Sequence, residues 1–240
     1  MSSDAAGSLY LLPNTLGGTA PETVIPVAAL HRARSLDYFI AENPKSARAF
    51  LKRIGYPRPL QEIRVERLDH NTRAADIAPL LEPVLAGRDA GLLSDAGLPA
   101  IADPGAGLVR FAHEKDVRVV PLSGPSSIFL ALAASGLDGQ RFAFHGYLPV
   151  RRPDLIATLK ELERQSRHLN QTQIFIETPY RNDATLAAML RVLGDDTLVC
   201  VAADLTLETE TVTTRPAAQW RNHAPQLKGR PTVFLILSVR

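Results

Sequence analysis

The chain has 240 residues, of which 45% are apolar and 22% charged, and its formal net charge is +2. This composition is ordinary for a globular protein and excludes the collagen-like, disordered and disulfide-scaffold classes. Residues 1–7 have neither the basic region nor the apolar core of a secretory signal, and the longest apolar runs are shorter than the ~18 residues that would cross a bilayer. We therefore expect a cytoplasmic protein with no membrane partner.

Short apolar or β-branched runs alternate with helical patterns along the first part of the chain. The pattern predicts strands at residues 9–12, 36–41, 63–68, 90–93 and 117–122, and helices at 44–54, 74–86, 107–115 and 126–134. These runs are too continuously apolar for half-exposed strands, which indicates a mostly parallel sheet covered on both faces. The alternation predicts an α/β fold.

A glycine-rich break at residues 135–140 separates a second half of the chain. There the pattern predicts strands at 141–147, 173–177, 197–202, 206–213 and 232–239, and helices at 154–167, 182–193 and 217–223. The last three strands have only one short helix among them, which indicates antiparallel neighbours in a mixed sheet. We therefore expect two α/β domains, residues 1–138 and 142–240.

Signatures of several other enzyme classes are absent from the sequence. It contains no P-loop, no G-x-S-x-G and no C-x-x-C, and its six histidines show no H-E-x-x-H spacing. A metal site therefore has no support, and we expect none.

Residues 92–105 form the most informative stretch, because a buried strand ends at Leu93 and the chain then turns repeatedly on small residues, Gly and Pro. Ligands of open α/β sheets bind beyond the carboxyl ends of the strands, and small residues let the backbone approach them closely. Asp95 and Asp103 are suited to accept hydrogen bonds from ribose hydroxyls or an ammonium group. The alternative is that both cap turns or helix starts, since Asp103 precedes Pro104 as an N-cap precedes a proline at N1.

A second loop, residues 121–127, follows the next predicted strand and leads directly into an apolar helix. Ser126 or Ser127 is an adequate cap for that helix, and the helix start also offers free N–H groups to an anion. The two neighbouring loops predict one shared crevice.

These loops carry a resemblance to a known family. The segments S-D-A-G-x-P and D-P-G within residues 94–105, S-G-P-S at 123–126 and G-Y-L-P at 146–149 resemble the tetrapyrrole methylase superfamily, and most closely its ribosomal small-subunit RNA methyltransferase I branch. Residues 175–181 resemble the F-x-E-[ST]-P-x-R segment of that branch, and residues 203–210 resemble its R-E-L-T-K-x-x-E segment. The resemblance covers most of the chain.

The resemblance implies a homodimeric two-domain α/β methyltransferase with a mostly parallel N-terminal sheet and a mixed C-terminal sheet, which binds S-adenosylmethionine between its domains. The RNA-modifying branch methylates a cytidine ribose 2′-oxygen in small-subunit ribosomal RNA. By position, cofactor contacts are expected at Pro13, Asp95, Ala96, Gly97, Ile101, Asp103, Pro104, Gly105, Ser126, Ser127, Thr178 and Ala203.

Departures from the branch's pattern fall on the substrate side. Residues 42–45 read E-N-P-K where the branch has E-D-T-R, Ala203 and Leu207 replace Arg and Lys of R-E-L-T-K, and His145 stands where an acid is usual. Lysine does not grip a phosphate bidentately as arginine does, so these changes weaken the argument for phosphate contacts. A substrate class other than that of the branch therefore stays open.

Basic residues cluster in two places, although the net charge is small. Residues 31–67 contain nine Lys/Arg residues against four acids, and a second group surrounds Arg151 and Arg152. Such groups neutralise phosphates or are solvated helix faces. The candidate substrate contacts are Lys45, Arg48, Arg151, Arg152 and Arg181.

Methylation of a ribose hydroxyl benefits from a positioned base. Glu42, at the end of the second predicted strand, and His145, at the start of the second domain, are the candidates. The alternatives are that Glu42 caps the following helix and that His145 is a hydrogen-bonded strand residue.

Three functions remain open from the sequence. The first is methylation of ribosomal RNA in the small subunit, the second is methylation of a small molecule such as a tetrapyrrole, and the third is binding of S-adenosylmethionine without turnover. A basic substrate face favours the first, a wide apolar cleft favours the second, and a missing acceptor pocket favours the third.

Overall fold

The computed structural model describes residues 6–238 and divides between Ser126 and Ser127 into two compact units. Residues 1–5 and 239–240 lie outside the described residues. Among them fall the first residue of the first predicted domain and the last residue of the second. They also include most of the segment assessed for a secretory signal and the end of the last predicted strand.

The first unit is built from strands that alternate with helices. Its strands are β1 (Ser8–Leu12), β2 (Tyr38–Ala41), β3 (Arg64–Arg67), β4 (Ala90–Leu93) and β5 (Arg118–Pro121). Its helices are α1 (Pro21–Val24), α2 (Val27–Ser35), α3 (Pro44–Arg53), α4 (Ile77–Leu85) and α5 (Ala106–Glu114), with a 3₁₀ helix at Ala74–Asp76. The strands pair in parallel in the order β3-β2-β4-β1-β5, so the predicted parallel sheet is confirmed.

Successive side chains of these strands point to opposite faces of the sheet, and both faces are covered. Tyr10 and Leu12 pack in one apolar cluster with residues of α2 and α3, whereas Leu9 and Leu92 pack in another with residues of α4 and α5. Burial on both faces explains why the strands are apolar without alternation. The sequence did not predict α1 and α2, because Pro26 divides that segment into pieces too short for a repeated apolar spacing.

The second unit contains a mixed sheet. Its strands are β6 (Phe142–Tyr147), β7 (Thr172–Ile176), β8 (Leu198–Ala203), β9 (Thr211–Pro216) and β10 (Thr232–Leu237). Its helices are α6 (Ser127–Ser135), α7 (Arg152–Leu169), α8 (Asn182–Val192) and α9 (Ala217–Trp220). The order is β6-β7-β10-β8-β9, with β6 and β7 parallel and the other neighbours antiparallel, as predicted.

Two sequence-based expectations differ from the structure in this unit. Residues 206–213 do not form one strand, because Asp204 and Thr206 adopt positive φ angles of 54° and 71° and the chain runs as a loop until β9 begins at Thr211. The helix α6 was expected to belong to the first domain, but it packs on β8, β9 and β10, and the Thr214 hydroxyl donates a hydrogen bond to Ser135 O. The predicted domain limits near residues 138–142 stay a prediction.

Candidate functional site

The loops that follow β1, β2, β4 and β5 lie at one edge of the first sheet, because parallel strands end on the same side. These loops contain the predicted cofactor contacts of the first unit. The order β2-β4-β1-β5 makes each strand end the neighbour of the next. The carboxyl edge of this sheet is therefore where the first unit can bind a ligand.

Asn14 connects the loop after β1 with the loop after β4. It is 5% exposed, and its side-chain Nδ2 donates to Ser94 O at 3.1 Å and to Asp95 O at 3.0 Å. Its backbone N–H donates to Gly97 O at 2.8 Å. The structure thus brings Pro13, Asp95 and Gly97 together. Asn14 was not among the predicted site residues, although a polar residue directly after a buried strand was the available signal.

The loop after β4 has a backbone that only small residues tolerate. Gly97 has φ +67°, and a Cβ there would lie 3.3 Å from Leu16 Cδ2. Ala100 and Ala102 also adopt left-handed φ angles of 65° and 62°. Left-handed backbone outside glycine is uncommon and persists where the surrounding structure imposes it. The small side chains of this loop therefore leave its backbone open to close approach by a ligand.

Glu42 lies beside this loop, and it is not a helix cap. The side chain of Asn43 caps α3 instead, its Oδ1 accepting a hydrogen bond from Lys45 N at 3.0 Å. The Glu42 side chain is 21% exposed, and its Oε1 lies 3.6 Å from His70 Nε2. Burial, and after it the charge of Asp95, raises the pKa of Glu42. A carboxylate of raised pKa is a better proton acceptor than an ordinary one, as a general base requires.

Asp103 also belongs to this acidic group and does not cap a helix. The helix α5 begins at Ala106, and its N-cap residue Gly105 makes no side-chain capping bond. Burial, followed by the charge of Glu42, raises the pKa of Asp103 to about 6. The structure therefore places the carboxyl groups of Glu42 and Asp95 close enough to Asp103 for their charges to raise its pKa.

The remaining predicted cofactor contacts of the first unit lie along the same loops. Ile101 and Ala96 are exposed, Pro104 is half-buried, and Pro13, Gly105 and Ser126 are buried.

The predicted contacts of the second unit lie at the ends of its strands and at the start of its first helix. Ser127 is the first residue of α6, Thr178 is exposed just after β7, and Ala203 is the buried last residue of β8. The sequence predictions of cofactor contact at these three residues stay predictions.

His145 lies in β6 and makes a hydrogen bond with its neighbour strand. Its Nε2 is 2.7 Å from Oε1 of Gln173, a residue of β7 that is fully buried. This contact agrees with the alternative that His145 is a hydrogen-bonded strand residue, and its role as a base stays a prediction.

The predicted substrate contacts differ in their exposure and in whether an acid already pairs with their charge. Arg181 Nη2 lies 3.0 Å from Glu177 Oε2, and the Glu177 side chain is 2% exposed, so this arginine neutralises a buried carboxylate. Arg151 is exposed, with Nε 3.6 Å from Asp154 Oδ2. Arg152 is exposed at the start of α7.

Lys45 and Arg48 lie on the first turns of α3, directly after Glu42. Lys45 is exposed, whereas Arg48 is half-buried and its Nη1 donates to Pro44 O at 3.4 Å. Lys45 and Arg48 thus follow the candidate base by three and six residues in the chain.

A cavity of about 530 Å³ opens in the first unit next to the loop after β4. Its lining is mostly apolar and comes from residues 98–101, α5 and the end of β5. Ile101, a predicted cofactor contact, is part of the lining, and Arg110 and His113 supply polar atoms. A cavity of this size is within the range of small-molecule sites.

Within residues 6–238 no helix is both long and apolar enough to cross a membrane. In that same part of the chain, no group of three or more His, Cys, Asp or Glu side chains is arranged to hold a metal ion.

Residues 18–220 match the family model described as tetrapyrrole (corrin/porphyrin) methylases. Proteins named ribosomal RNA small subunit methyltransferase I are similar in sequence. The one from Escherichia coli O157:H7 is 33% identical over 216 residues, which are 90% of this chain and 71% of that protein. Those from Streptococcus pyogenes serotype M6 and Haemophilus influenzae are each 34% identical, over 82% and 88% of this chain and 64% and 70% of their own lengths. The chain thus spans only about two thirds of these relatives.

Two solved structures share the fold. The methyltransferase CobJ superposes with a TM-score of 0.63 at 16% identity, over 97% of this chain and 95% of that one. The cobalamin biosynthetic enzyme cobalt precorrin-4 methyltransferase, CbiF, superposes with a TM-score of 0.58 at 15% identity, over 96% and 94%. The predicted fold class is therefore confirmed.

Proposed function

Because the chain belongs to the family of tetrapyrrole (corrin/porphyrin) methylases, we propose that it is an S-adenosylmethionine-dependent enzyme that methylates the 2′-oxygen of a cytidine ribose in small-subunit ribosomal RNA. The observation that carries this proposal is the group of Glu42, Asp95 and Asp103 beside a glycine-containing loop. The similarity to proteins named ribosomal RNA small subunit methyltransferase I supports the choice of acceptor.

The loop after β4 fits the proposed cofactor. S-adenosylmethionine carries positive charge on its sulfonium and ammonium groups, which carboxylates attract. Asp95 and Asp103 would hold these cationic parts, and the loop backbone would approach the ligand at Ala96 and Ala102, which are exposed and carry small side chains. When bound, the cofactor supplies a methyl group in electrophilic form.

Glu42 would act on the acceptor. With the bound cofactor supplying the methyl group, the Glu42 carboxylate would accept the proton that the ribose hydroxyl loses as its oxygen is methylated. Partial burial strips water from this carboxylate and raises its pKa, which strengthens it as a base. Alignment of acceptor and methyl group supplies most of the rate enhancement of such a displacement, roughly 7–11 kcal/mol.

Lys45, Arg48, Arg151 and Arg152 are the proposed contacts to the RNA backbone, since their charges are not held by buried acids. Arg181 forms an ion pair with Glu177, so a contact between Arg181 and RNA would have to leave this ion pair intact. We also propose that the enzyme is a homodimer, as the family resemblance implies, and that it acts in the cytoplasm, where ribosomal subunits are found.

One observation favours a second candidate function. The apolar cavity next to Ile101 suits part of a small apolar acceptor better than it suits a phosphate backbone. A methyltransferase for a small molecule such as a tetrapyrrole is therefore the competing proposal.

The test is a methyl-transfer assay with methyl-labelled S-adenosylmethionine and small ribosomal subunits from a strain in which the gene for this chain is deleted. We expect label in the RNA at a cytidine 2′-oxygen, and loss of the label with Asp95→Ala. The matched control is Asp196→Asn, an exposed aspartate of the second unit.

Cofactor binding without label in the RNA would contradict the ribosomal proposal. Transfer to an added tetrapyrrole would then support the competing one, and binding with no transfer to either acceptor would indicate a module without turnover.

A further inference from the structure

The residues just before β10 lie between the two loops of the second unit that carry predicted cofactor contacts. Thr178 follows β7, and Ala203 is the last residue of β8. The strand β10 is hydrogen-bonded to both, with Val233 opposite Ile176 and Thr232 opposite Ala203. The chain entering β10 therefore reaches the sheet edge where both loops begin.

The side chain of Arg230 holds the loop after β8. Its Nε donates to Asp204 Oδ2 at 2.6 Å, and its Nη2 donates to Thr209 O at 2.7 Å and to Thr211 Oγ1 at 3.2 Å. Asp204 is 6% exposed, and the Thr209 hydroxyl donates to the same Oδ2 at 2.9 Å. A carboxylate this buried needs its cationic partner, because an unpaired buried charge is strongly unfavourable.

The loop held by Arg230 has a strained backbone. Asp204 and Thr206 have φ angles of +54° and +71°, and a β-branched residue in that region is a genuine outlier. Such conformations persist where the surrounding structure imposes them, and they cluster at functional sites. The bonds from Arg230 to both ends of this loop supply that constraint.

The backbone around Arg230 is fixed to the turn after β7. Arg230 O accepts a hydrogen bond from Asn182 Nδ2 at 2.7 Å, and Gly229 N–H donates to Pro179 O at 3.0 Å. Asn182 is fully buried at the start of α8. Arg230 thus binds the loop after β8 through its side chain and is anchored to the turn after β7 through its main chain.

We infer that Arg230 is a positioning residue that sets the spacing between the loops after β7 and β8, and so the cofactor contacts predicted at Thr178 and Ala203. The inference rests on the proposed binding of S-adenosylmethionine. Arg230 acts through Asp204 on one side and through Asn182 on the other.

The test uses Arg230→Lys in the full chain. Lysine keeps the positive charge but lacks the guanidinium fork that contacts Asp204 and Thr209 together. We expect the dissociation constant and KM for S-adenosylmethionine to rise about tenfold, the size of one lost charged hydrogen bond. We expect kcat to stay within about twofold, because the interactions with the acceptor are unchanged. Hydrogen exchange is expected to speed up at residues 178–182 and 204–210.

The matched control is Arg221→Lys in the same unit. Arg221 also uses its guanidinium fork on main-chain oxygens, with Nε donating to Leu190 O at 2.7 Å and Nη2 to Leu193 O at 2.9 Å, ahead of β8. Its substitution should lower thermal stability without changing cofactor affinity. A general loss of stability in Arg230→Lys is thereby separated from a loss of positioning.

Asn182→Ala tests the main-chain anchor of Arg230, and it is the variant to use if Arg230→Lys folds poorly. It should also weaken cofactor binding, and its effect should not add to that of Arg230→Lys, because both act on one spacing. A folded Arg230→Lys or Asn182→Ala protein with wild-type affinity and wild-type exchange in both loops would overturn the inference alone. Failure of the wild-type protein to bind S-adenosylmethionine would overturn the proposed function and the inference with it.

Discussion

Gly124 and Pro13 lie in direct contact at the carboxyl edge of the first sheet. A Cβ on Gly124 would be only 2.1 Å from Pro13 Cβ and 2.7 Å from Pro13 Cγ, far inside van der Waals contact. Gly124 follows β5 and Pro13 follows β1, so this contact joins the ends of two neighbouring strands. The absence of a side chain at Gly124 therefore sets how closely two of the site loops approach.

Substitution Gly124→Ala should push these loops apart. The Pro13 ring is rigid and cannot rotate away, so we expect a loss of about 1–3 kcal/mol in the free energy of unfolding, the usual cost of overpacking. Denaturant titration measures this loss, and calorimetry should show weaker binding of S-adenosylmethionine. Gly18→Ala is the matched control, since its Cβ would meet no atom within 4 Å. Equal stability of the two variants would contradict the tight contact between Gly124 and Pro13.

Asp103→Asn should stabilise the protein at high pH only. Because the folded pKa of Asp103 is about 6 against an ordinary 3.8, the folded state binds its proton more tightly than the unfolded state. Its contribution to stability therefore falls as pH rises from ~4 to ~6 and stays unfavourable above that window.

The variant removes this cost, so we expect the free energy of unfolding to rise by about 1 kcal/mol at pH 8. This rise already includes the reduction by solvent screening of a half-exposed group. We expect no rise below about pH 4. Urea unfolding at both pH values is the measurement. Asp196→Asn, at an exposed aspartate of the second unit, is the matched control, and a gain for Asp103→Asn at low pH would contradict the assignment.

Glu42→Gln should abolish proton transfer while the cofactor site remains. We expect kcat to fall about 10²–10⁴-fold, the usual contribution of a general base, with little change in affinity for S-adenosylmethionine. In the wild type, activity should decrease as pH falls through the raised pKa of Glu42, because the protonated form cannot accept a proton. Steady-state kinetics across pH measures both effects. Glu22→Gln, on the exposed first turn of α1, is the control and should retain full activity.

Arg181→Ala should affect folding more than RNA affinity. The variant leaves the Glu177 carboxylate buried and unpaired, which costs about 3–5 kcal/mol in buried ion pairs of this kind. Arg152→Ala removes an exposed charge and should change stability by less than about 0.5 kcal/mol while weakening RNA binding. Chemical denaturation and filter binding of ribosomal RNA separate the two effects. A stable Arg181→Ala protein would show that Glu177 finds another partner.

The sequence by itself determined the α/β class, the parallel first sheet and the position of the loop at residues 94–105. These are local properties, since strand and helix periodicity and the run of Gly, Pro and small residues are visible within short windows. It also determined the family, because its loop motifs are specific. It missed α1 and α2 and predicted a strand from residue 206, whereas the strand begins at Thr211. The bond from Arg230 to Asp204 holds the preceding loop in a conformation that local preference disfavours.

The tertiary structure alone decided which charged groups act together. Glu42 is far in the chain from Asp103, yet after burial its charge raises the pKa of Asp103, and Arg181 is committed to a carboxylate that only folding buries. Likewise, α6 joins the second unit because its apolar side chains pack on β8, β9 and β10. Electrostatics and packing depend on distance in space, and residue spacing along the chain does not report that distance.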